Sequence, residues 1–184
     1  MITNVSKSFI DLCSYYECGG KPIDAKWLKA YLDSGGVPTI GIGTIRYPNG
    51  VAVKMGDTIT PQQKDDYFLF EIQQKVAKVI FLTRDDISQS KFDAIVDFTY
   101  NVGTVGLQKS TLLKTLNHNL TDLKIVNNLL AWRYDNGKEV SGLIRRRMSE
   151  ALLYFTGRLK YDWKNYKTFS QATINEVLAE IKKG

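Results

Sequence analysis

Histidine and cysteine are scarce in this sequence, and their scarcity excludes several kinds of site. The 184 residues include one histidine, His118, and two cysteines, Cys13 and Cys18. With a single histidine and no C-x-x-C pair, the chain carries no zinc motif. The two cysteines follow a helical pattern whose period turns their side chains away from each other. We therefore expect two reduced, partly buried thiols rather than a disulfide, and neither a metal nor a cofactor.

Long apolar runs are also missing. No stretch of about 18 apolar residues occurs, so the sequence predicts no membrane-spanning helix and no stable membrane insertion. Residues 1–16 mix polar and apolar side chains without the apolar run of a signal peptide. We expect a soluble chain that is not exported by a signal of its own.

What the chain does carry is an excess of positive charge. The net charge is +6, the isoelectric point is about 9.2, and 43% of the residues are apolar. The length and the apolar share suit one domain with a real core. The charge favours a polyanionic partner such as nucleic acid, acidic lipid or the bacterial cell wall. The basic residues are dispersed and form no helix-turn-helix, RNP or zinc pattern, so we expect no nucleic-acid partner.

The order of the predicted elements indicates an α+β, mostly helical fold. A first helix ends at Glu17, before two glycines, and short β-like runs such as Trp27–Leu32 follow over residues 25–58, with a turn at 48–50. A capped helix then spans 60–82. Because these elements are segregated, the fold is not a βαβ repeat. Further helices are predicted at about 88–102, 107–116, 120–132, 142–155 and 170–181.

A glycine-rich stretch flanked by two acids is the strongest chemical signal. Glu17 ends the first helix, and Asp33 precedes a run that contains Gly35, Gly36, Gly41 and Gly43. Glycine allows positive φ and a close approach of backbone to ligand. Two carboxylates on either side of such a hairpin suit general acid–base chemistry.

Three blocks in this order resemble the phage-type lysozymes, the muramidase family of tailed-phage endolysins. The first runs from Glu17 through Tyr31-Leu-Asp33 to Thr39-Ile-Gly-Ile-Gly43. The second is Phe98-Thr-Tyr-Asn-Val-Gly103, followed by Ser110-Thr-Leu-Leu. The third combines Trp132 with Gly142-Leu-Ile-Arg-Arg-Arg147 and Glu150. The resemblance covers about residues 5–157.

The resemblance implies a hydrolase of the β-1,4 bond between N-acetylmuramic acid and N-acetylglucosamine in bacterial peptidoglycan. Glu17 would be the general acid that protonates the leaving oxygen. Asp33 would lie across the cleft, and Thr39 would help to hold the attacking water. Whether the reaction inverts or retains the anomeric configuration stays open at this point.

The resemblance also implies supporting residues in the later blocks. Asn101 matches the amide position that faces the sugar, and Trp132 is a second substrate-binding candidate, although a core position suits it as well. Arg146, or its neighbour Arg145, matches the arginine that approaches the catalytic glutamate. The sequence does not determine which of the arginines at 145, 146 and 147 faces the site.

The implied architecture is a single, two-lobed, lysozyme-like domain, 1–184, with an active-site cleft between the lobes. A small antiparallel sheet lobe is expected at about 20–60, a helical lobe at 1–19 and 83–184, and a connecting helix at 60–82. The sequence departs from the family pattern in an insertion around Lys21–Lys26 and in Thr44, where many members have histidine. The tail after Gly157 is expected to pack against the first helix or to bind a ligand, with packing favoured.

Several alternatives stay open. The same scaffold could bind cell wall without cleaving it, and the same acids could cleave another N-acetylglucosamine polymer such as chitin. A phage endolysin and a bacterial effector or prophage product would share these features. In each case the resemblance implies a monomer that is made in the bacterial cytoplasm and acts on the periplasmic cell wall after release.

Overall fold

Helices and two-residue strands make up the part of the chain that the computed structural model describes, residues 2–19, 25–33, 35–164 and 166–183. The chain divides into two compact units. We call residues 13–74 the small unit, and residues 1–12 with 75–184 the helical unit. The elements are, in chain order, α1 Lys7–Glu17, β1 Tyr31–Leu32, β2 Pro38–Thr39, α2 Pro61–Leu82, α3 Gln89–Val102, α4 Thr104–Lys109, α5 Thr111–His118, α6 Lys124–Leu130, β3 Tyr134–Asp135, β4 Lys138–Glu139, α7 Ser141–Thr156 and α8 Gln171–Lys182.

The helix ends form where the capping residues predict them. The Ser6 hydroxyl accepts a hydrogen bond from the Ser8 N–H (3.1 Å) at the start of α1. Thr60 and Gln63 form a reciprocal capping box at the start of α2, with bonds of 2.9 and 3.1 Å. Gly157 ends α7 in the left-handed conformation, with φ of 73°. The α+β, mostly helical fold that the sequence predicts is therefore confirmed.

The small unit contains a short antiparallel sheet. Strands β1 and β2 pair so that Tyr31 lies opposite Thr39, and single antiparallel bridges extend the pairing at 29 with 58, 40 with 44 and 46 with 52. Ile40, Val53 and Ile59 form its buried core. The predicted strand Trp27–Leu32 is wrong in its first half, because Ala25–Leu28 is a 3₁₀ helix. A short apolar run does not by itself distinguish a strand from a helical turn.

Helix α3 is the centre of the helical unit. Every residue from Phe92 to Thr99 is buried, as its nearly continuous apolar pattern predicts. Helix α3 packs along α7, which also contacts α6. Among the described residues, no helix combines the length and the apolar character that crossing a membrane requires.

Tertiary context changes two elements of this unit. The predicted helix at 107–116 is split into α4 and α5, because the Ser110 hydroxyl accepts from the Leu113 N–H (3.0 Å) and donates to the Leu107 carbonyl (2.7 Å). The segment after α6 forms a hairpin of β3 and β4 that the sequence analysis did not identify. Asn136 and Gly137 have φ of 47° and 76°, which a two-residue hairpin loop requires.

The C-terminal segment, described at residues 158–164 and 166–183, packs within the helical unit. Helix α8 lies mainly against α7 and also contacts α6. The Trp163 indole N–H donates to the Ser149 hydroxyl (2.8 Å), which donates to the Lys160 carbonyl (2.6 Å). The prediction that this tail packs is confirmed, and its main partner is α7 rather than the first helix.

Both cysteines are buried and form no disulfide. Cys13 lies within α1, and Cys18 follows the last residue of that helix. The prediction of two reduced, buried thiols is confirmed.

Candidate active site

Glu17 is the last residue of α1, and its side chain is exposed. The helix ends there because Gly19 takes a φ of 69°, which a glycine adopts without strain. The next residue, Cys18, is 5% exposed, and its N–H donates to the Ser14 carbonyl (2.9 Å). The local structure thus buries the thiol and turns the neighbouring carboxyl group outward.

Asp33 is fixed by the turn that joins β1 and β2. Its Oδ1 accepts hydrogen bonds from the N–H groups of Gly35 (2.8 Å) and Val37 (2.9 Å). Gly35 suits this geometry because a Cβ there would lie 3.3 Å from the same oxygen. The other carboxyl oxygen, Oδ2, accepts no hydrogen bond from the residues that the structure describes. Asp33 is therefore an exposed carboxyl group with one oxygen held by backbone N–H groups.

Thr39 lies at the end of β2, opposite Tyr31, and is 2% exposed. Its hydroxyl donates to the Val37 carbonyl (2.9 Å), so the oxygen is left as an acceptor. A tight turn follows, in which Ile40 and Thr44 exchange backbone hydrogen bonds of 2.8 and 3.1 Å. This turn fixes the backbone immediately after the threonine.

Glycine is required at the start of that turn. Gly41 has φ of 60°, and a Cβ there would lie 3.1 Å from Lys64 Cγ and 3.4 Å from Ile59 Cδ1. A side chain would therefore meet both an unfavourable backbone conformation and a crowded neighbourhood. This is the physical reason for the first glycine of the T-I-G-x-G pattern.

Tyr31 links these parts of the small unit, and the sequence analysis gave it no role. Its ring packs edge-to-face on Trp27 at 5.1 Å, and its hydroxyl donates to the Gly41 carbonyl (3.4 Å). Burial raises the pKa of Tyr31 above its ordinary value, and negative charge at Cys18 and Asp33 adds to the rise. A neutral hydroxyl therefore lies near Asp33, the acid that follows β1. The signal available in the sequence was the Y-x-D spacing, which places this tyrosine two residues before the acid.

Asn101 and Trp132 line one pocket in the helical unit. The pocket has a volume of about 490 Å³, and Tyr134, Val140 and Leu143 also line it. The Trp132 ring packs edge-to-face on Phe98 at 5.5 Å. The two predicted substrate-binding residues therefore lie together, and the side chain of Trp132 serves both the core and the pocket wall.

The three consecutive arginines of α7 lie in different surroundings. Arg146 is 4% exposed and binds Asp97 through two hydrogen bonds of 2.9 Å. Arg147 is fully buried and binds both oxygens of Glu150, at 2.6 and 2.8 Å. Arg145 is only partly buried. Two of the arginines therefore bind acids in the core of the helical unit, and the assignment of Arg146 or Arg145 to Glu17 stays a prediction.

Burial and pairing act oppositely on the two acids of this cluster. Burial alone would raise the pKa of Asp97, but the charge and hydrogen bonds of Arg146 lower it below its usual value. Burial raises the pKa of Glu150 well above its usual value; the charge of Arg147 opposes that rise, and the negative charge of Asp97 adds to it. We therefore describe Asp97 as the ionised acid and Glu150 as the acid that retains its proton more strongly.

A family model described as phage lysozyme matches residues 23–150, which is more than half of the chain. The chain belongs to the phage lysozyme family. The resemblance inferred from the three sequence blocks and the lysozyme-like fold are thereby confirmed.

Relatives of this chain include endolysins of several phages. It is 35% identical to the endolysin of Bacillus phage B103 over 85% of this chain and 56% of that protein. It is 32% identical to the endolysin of Salmonella phage P22 over 70% of this chain and 87% of that protein. The solved endolysin of the Escherichia coli phage FAHEc1 has a TM-score of 0.71 and 34% identity, covering 85% of this chain and 96% of that one. The chain spans about half the length of its Bacillus phage relatives.

The family match covers all the predicted site residues of this chain except Glu17. The match begins at residue 23, so the assignment of Glu17 depends on its position at the end of α1. The insertion expected around Lys21–Lys26 lies mostly outside the described residues. In the described ranges, no three His, Cys, Asp or Glu side chains lie close enough together to hold a metal ion.

Proposed function

We propose that this chain is a muramidase that cleaves the β-1,4 bond between N-acetylmuramic acid and N-acetylglucosamine. Glu17 is the general acid that protonates the leaving oxygen, and Asp33 and Thr39 position the attacking water. The observation that carries this proposal is that one compact unit holds an exposed carboxyl group at the end of α1 and a second exposed carboxyl group whose Oδ1 is fixed by two backbone N–H groups. Two carboxyl groups with different roles are what glycoside hydrolysis requires.

The hydrogen bonds of Thr39 determine how a water would be held. Its hydroxyl hydrogen is used on the Val37 carbonyl, so its oxygen can only accept from the water. Asp33 Oδ2 would accept the second hydrogen of the same water. Both hydrogens are then bound, and an oxygen lone pair is left to attack the anomeric carbon. This arrangement supports an inverting reaction, in which water attacks the face opposite to the leaving group.

Arg146, or its neighbour Arg145, is the arginine that we propose for a supporting role. The Arg146 guanidinium binds Asp97, and Arg145 is partly exposed. We propose that Asn101 and Trp132 bind sugar in the pocket that they line. The net charge of +6 supports association with an anionic wall polymer.

The names of the relatives support a role in phage lysis, since several are endolysins. We propose that bacterial peptidoglycan is the partner, and that the chain acts on it as a monomer. Light scattering during size-exclusion chromatography would measure the monomer mass, and a dimer mass would contradict that part of the proposal.

Digestion of purified peptidoglycan tests the bond and the water-holding groups together. We expect products with N-acetylmuramic acid at the new reducing end, as measured by mass spectrometry after reduction. Thr39→Val should lower the rate about 10²-fold because it removes the acceptor oxygen, whereas Thr39→Ser should stay within about tenfold. N-acetylglucosamine at the reducing end, or equal rates for the valine and serine variants, would contradict the proposal.

The stereochemistry is tested in the same digestion. NMR of the first-formed anomer would show inversion if water attacks directly. A retained configuration would contradict the water-holding role of Thr39 and Asp33, because the second acid would then act as the nucleophile.

A further inference from the structure

The hairpin of β3 and β4 places an exposed aromatic ring on the wall of the pocket that Asn101 and Trp132 line. Tyr134 is 50% exposed and belongs to the pocket lining. Its neighbour Asp135 also lines the pocket, and Val140 contributes apolar surface. The pocket therefore combines two aromatic rings, an amide, a carboxyl group and apolar side chains.

Tyr134 is held in place although half of it is exposed. The Arg133 guanidinium lies over one face of the ring, 4.6 Å from its centroid, and donates to the Tyr134 hydroxyl (2.8 Å). That hydroxyl donates in turn to Glu139 Oε1 (3.1 Å), which is also the ion-pair partner of Arg133 at 2.7 Å. Contacts on the face and at the hydroxyl together fix the orientation of the ring.

The C-terminal segment supports this arrangement. The Phe169 ring lies 4.1 Å from the Arg133 guanidinium, and the Phe169 N–H donates to Glu139 Oε2 (2.9 Å). The hydrogen bond from Arg133 is the main cause that lowers the pKa of Glu139, and the bond from Phe169 adds to it. Phe169 lies beyond the residues that the family model matches. A part of the chain outside the family match therefore helps to position the hairpin.

The amide of Asn101 is also oriented. Its Oδ1 accepts a hydrogen bond from the buried Arg147 guanidinium, so its NH₂ group is turned the other way. The amide nitrogen donates to no described residue. It is available to donate to a hydroxyl or to the carbonyl oxygen of an acetamido group.

We propose that Tyr134 determines specificity by packing its open face against the pyranose ring of an N-acetylhexosamine in this pocket. Asn101 donates to the sugar, and Phe169 acts as a positioning residue through Arg133 and Glu139. This inference rests on the proposed function, because the ligand is a peptidoglycan glycan. A preoriented ring gives affinity because little side-chain entropy is lost on binding.

Binding to an inactive enzyme separates this proposal from catalysis. In a Glu17→Gln background, the affinity for a soluble glycan of alternating N-acetylglucosamine and N-acetylmuramic acid would be measured by calorimetry. Tyr134→Ala should weaken binding about tenfold, which corresponds to about 1.4 kcal/mol. Tyr134→Phe keeps the ring and should stay within about threefold. Phe81→Ala, which removes a ring that is 80% exposed, is the matched control and should change nothing.

The positioning role needs its own readout. In the active enzyme, Phe169→Leu should raise KM about threefold and leave kcat unchanged. The substitution weakens the contacts that hold Tyr134 and leaves Glu17 and Asp33 in place. An unchanged KM would overturn the positioning role of Phe169. Equal affinities of Tyr134→Ala and its parent would overturn the role of Tyr134. Weaker binding by Tyr134→Ala together with full activity of Glu17→Gln would support Tyr134 and contradict the catalytic assignment.

Discussion

The small unit and the helical unit use their charged residues in opposite ways. Asp33 in the small unit is exposed, and backbone N–H groups from one turn hold it in place. Asp97 and Glu150 in the helical unit are fully buried, and arginines from α7 bind them. The backbone of one turn binds Asp33 through a single carboxyl oxygen at the surface. In the core, both carboxyl oxygens of each acid bind an arginine. An acidic residue is therefore a candidate catalytic group in the small unit and a structural ion-pair partner in the helical unit.

The largest predicted effect is the loss of folding stability when a buried ion pair is broken. Asp97→Ala should lower the free energy of unfolding by about 3 kcal/mol, because it leaves the Arg146 charge buried without its main partner. Glu150 lies 3.7 Å from Arg146 and offsets part of the loss. Urea denaturation measures the change. The exposed Asp85→Ala should stay within about 0.5 kcal/mol, and a similar loss in both variants would contradict the contrast between core and surface acids.

The next effect concerns the turn beside Thr39 in the small unit. Gly41→Ala should cost about 2–3 kcal/mol, because positive φ and the contacts with Lys64 and Ile59 both disfavour a side chain. Gly50 also has positive φ but no atom within 4 Å of an added Cβ. Gly50→Ala should therefore cost only about 1 kcal/mol. Thermal unfolding compares the two variants, and equal costs would show that crowding at Gly41 is unimportant.

The smallest effect is the pH dependence of the buried cluster. The pKa of Glu150 is raised in the folded state, so the folded protein binds this proton more strongly than the unfolded chain does. Its contribution to stability is fully present below the unfolded pKa, near 4.5, and is lost as pH rises through the folded pKa. Glu150→Gln carries no such proton. Its stability relative to wild type should therefore improve as pH rises from 4 to 8, and a change in the opposite direction would contradict the assignment.

Local signals predicted much of this molecule. The capping box of Thr60 and Gln63, the stop at Gly157 and the buried α3 follow from residue type and period alone. The pairing of Tyr31 with Thr39 follows from the glycine-rich turn between them. These features depend on neighbours in the sequence, which is why the sequence reveals them.

The features that were missed depend on residues far apart in the chain. Arg146 and Arg147 look alike in the sequence, and only packing against α3 gives them their separate acids. Asn136 and Gly137 are residues typical of a hairpin loop. The position of the hairpin beside the pocket depends on contacts of Phe169, in the C-terminal segment, with Arg133 and Glu139. These contacts between residues far apart in the chain cannot be inferred from a single sequence.

The central claim is that Glu17 is the general acid, and one comparison tests it most directly. Wild type, Glu17→Gln and the control Asp85→Asn would be incubated with purified peptidoglycan, and the released reducing ends would be counted and identified by mass spectrometry. We expect Glu17→Gln to release them at least about 10²-fold more slowly, with the variant still folded by circular dichroism, because the amide cannot donate the proton. Asp85→Asn should match wild type. Equal rates for Glu17→Gln and wild type would contradict the account.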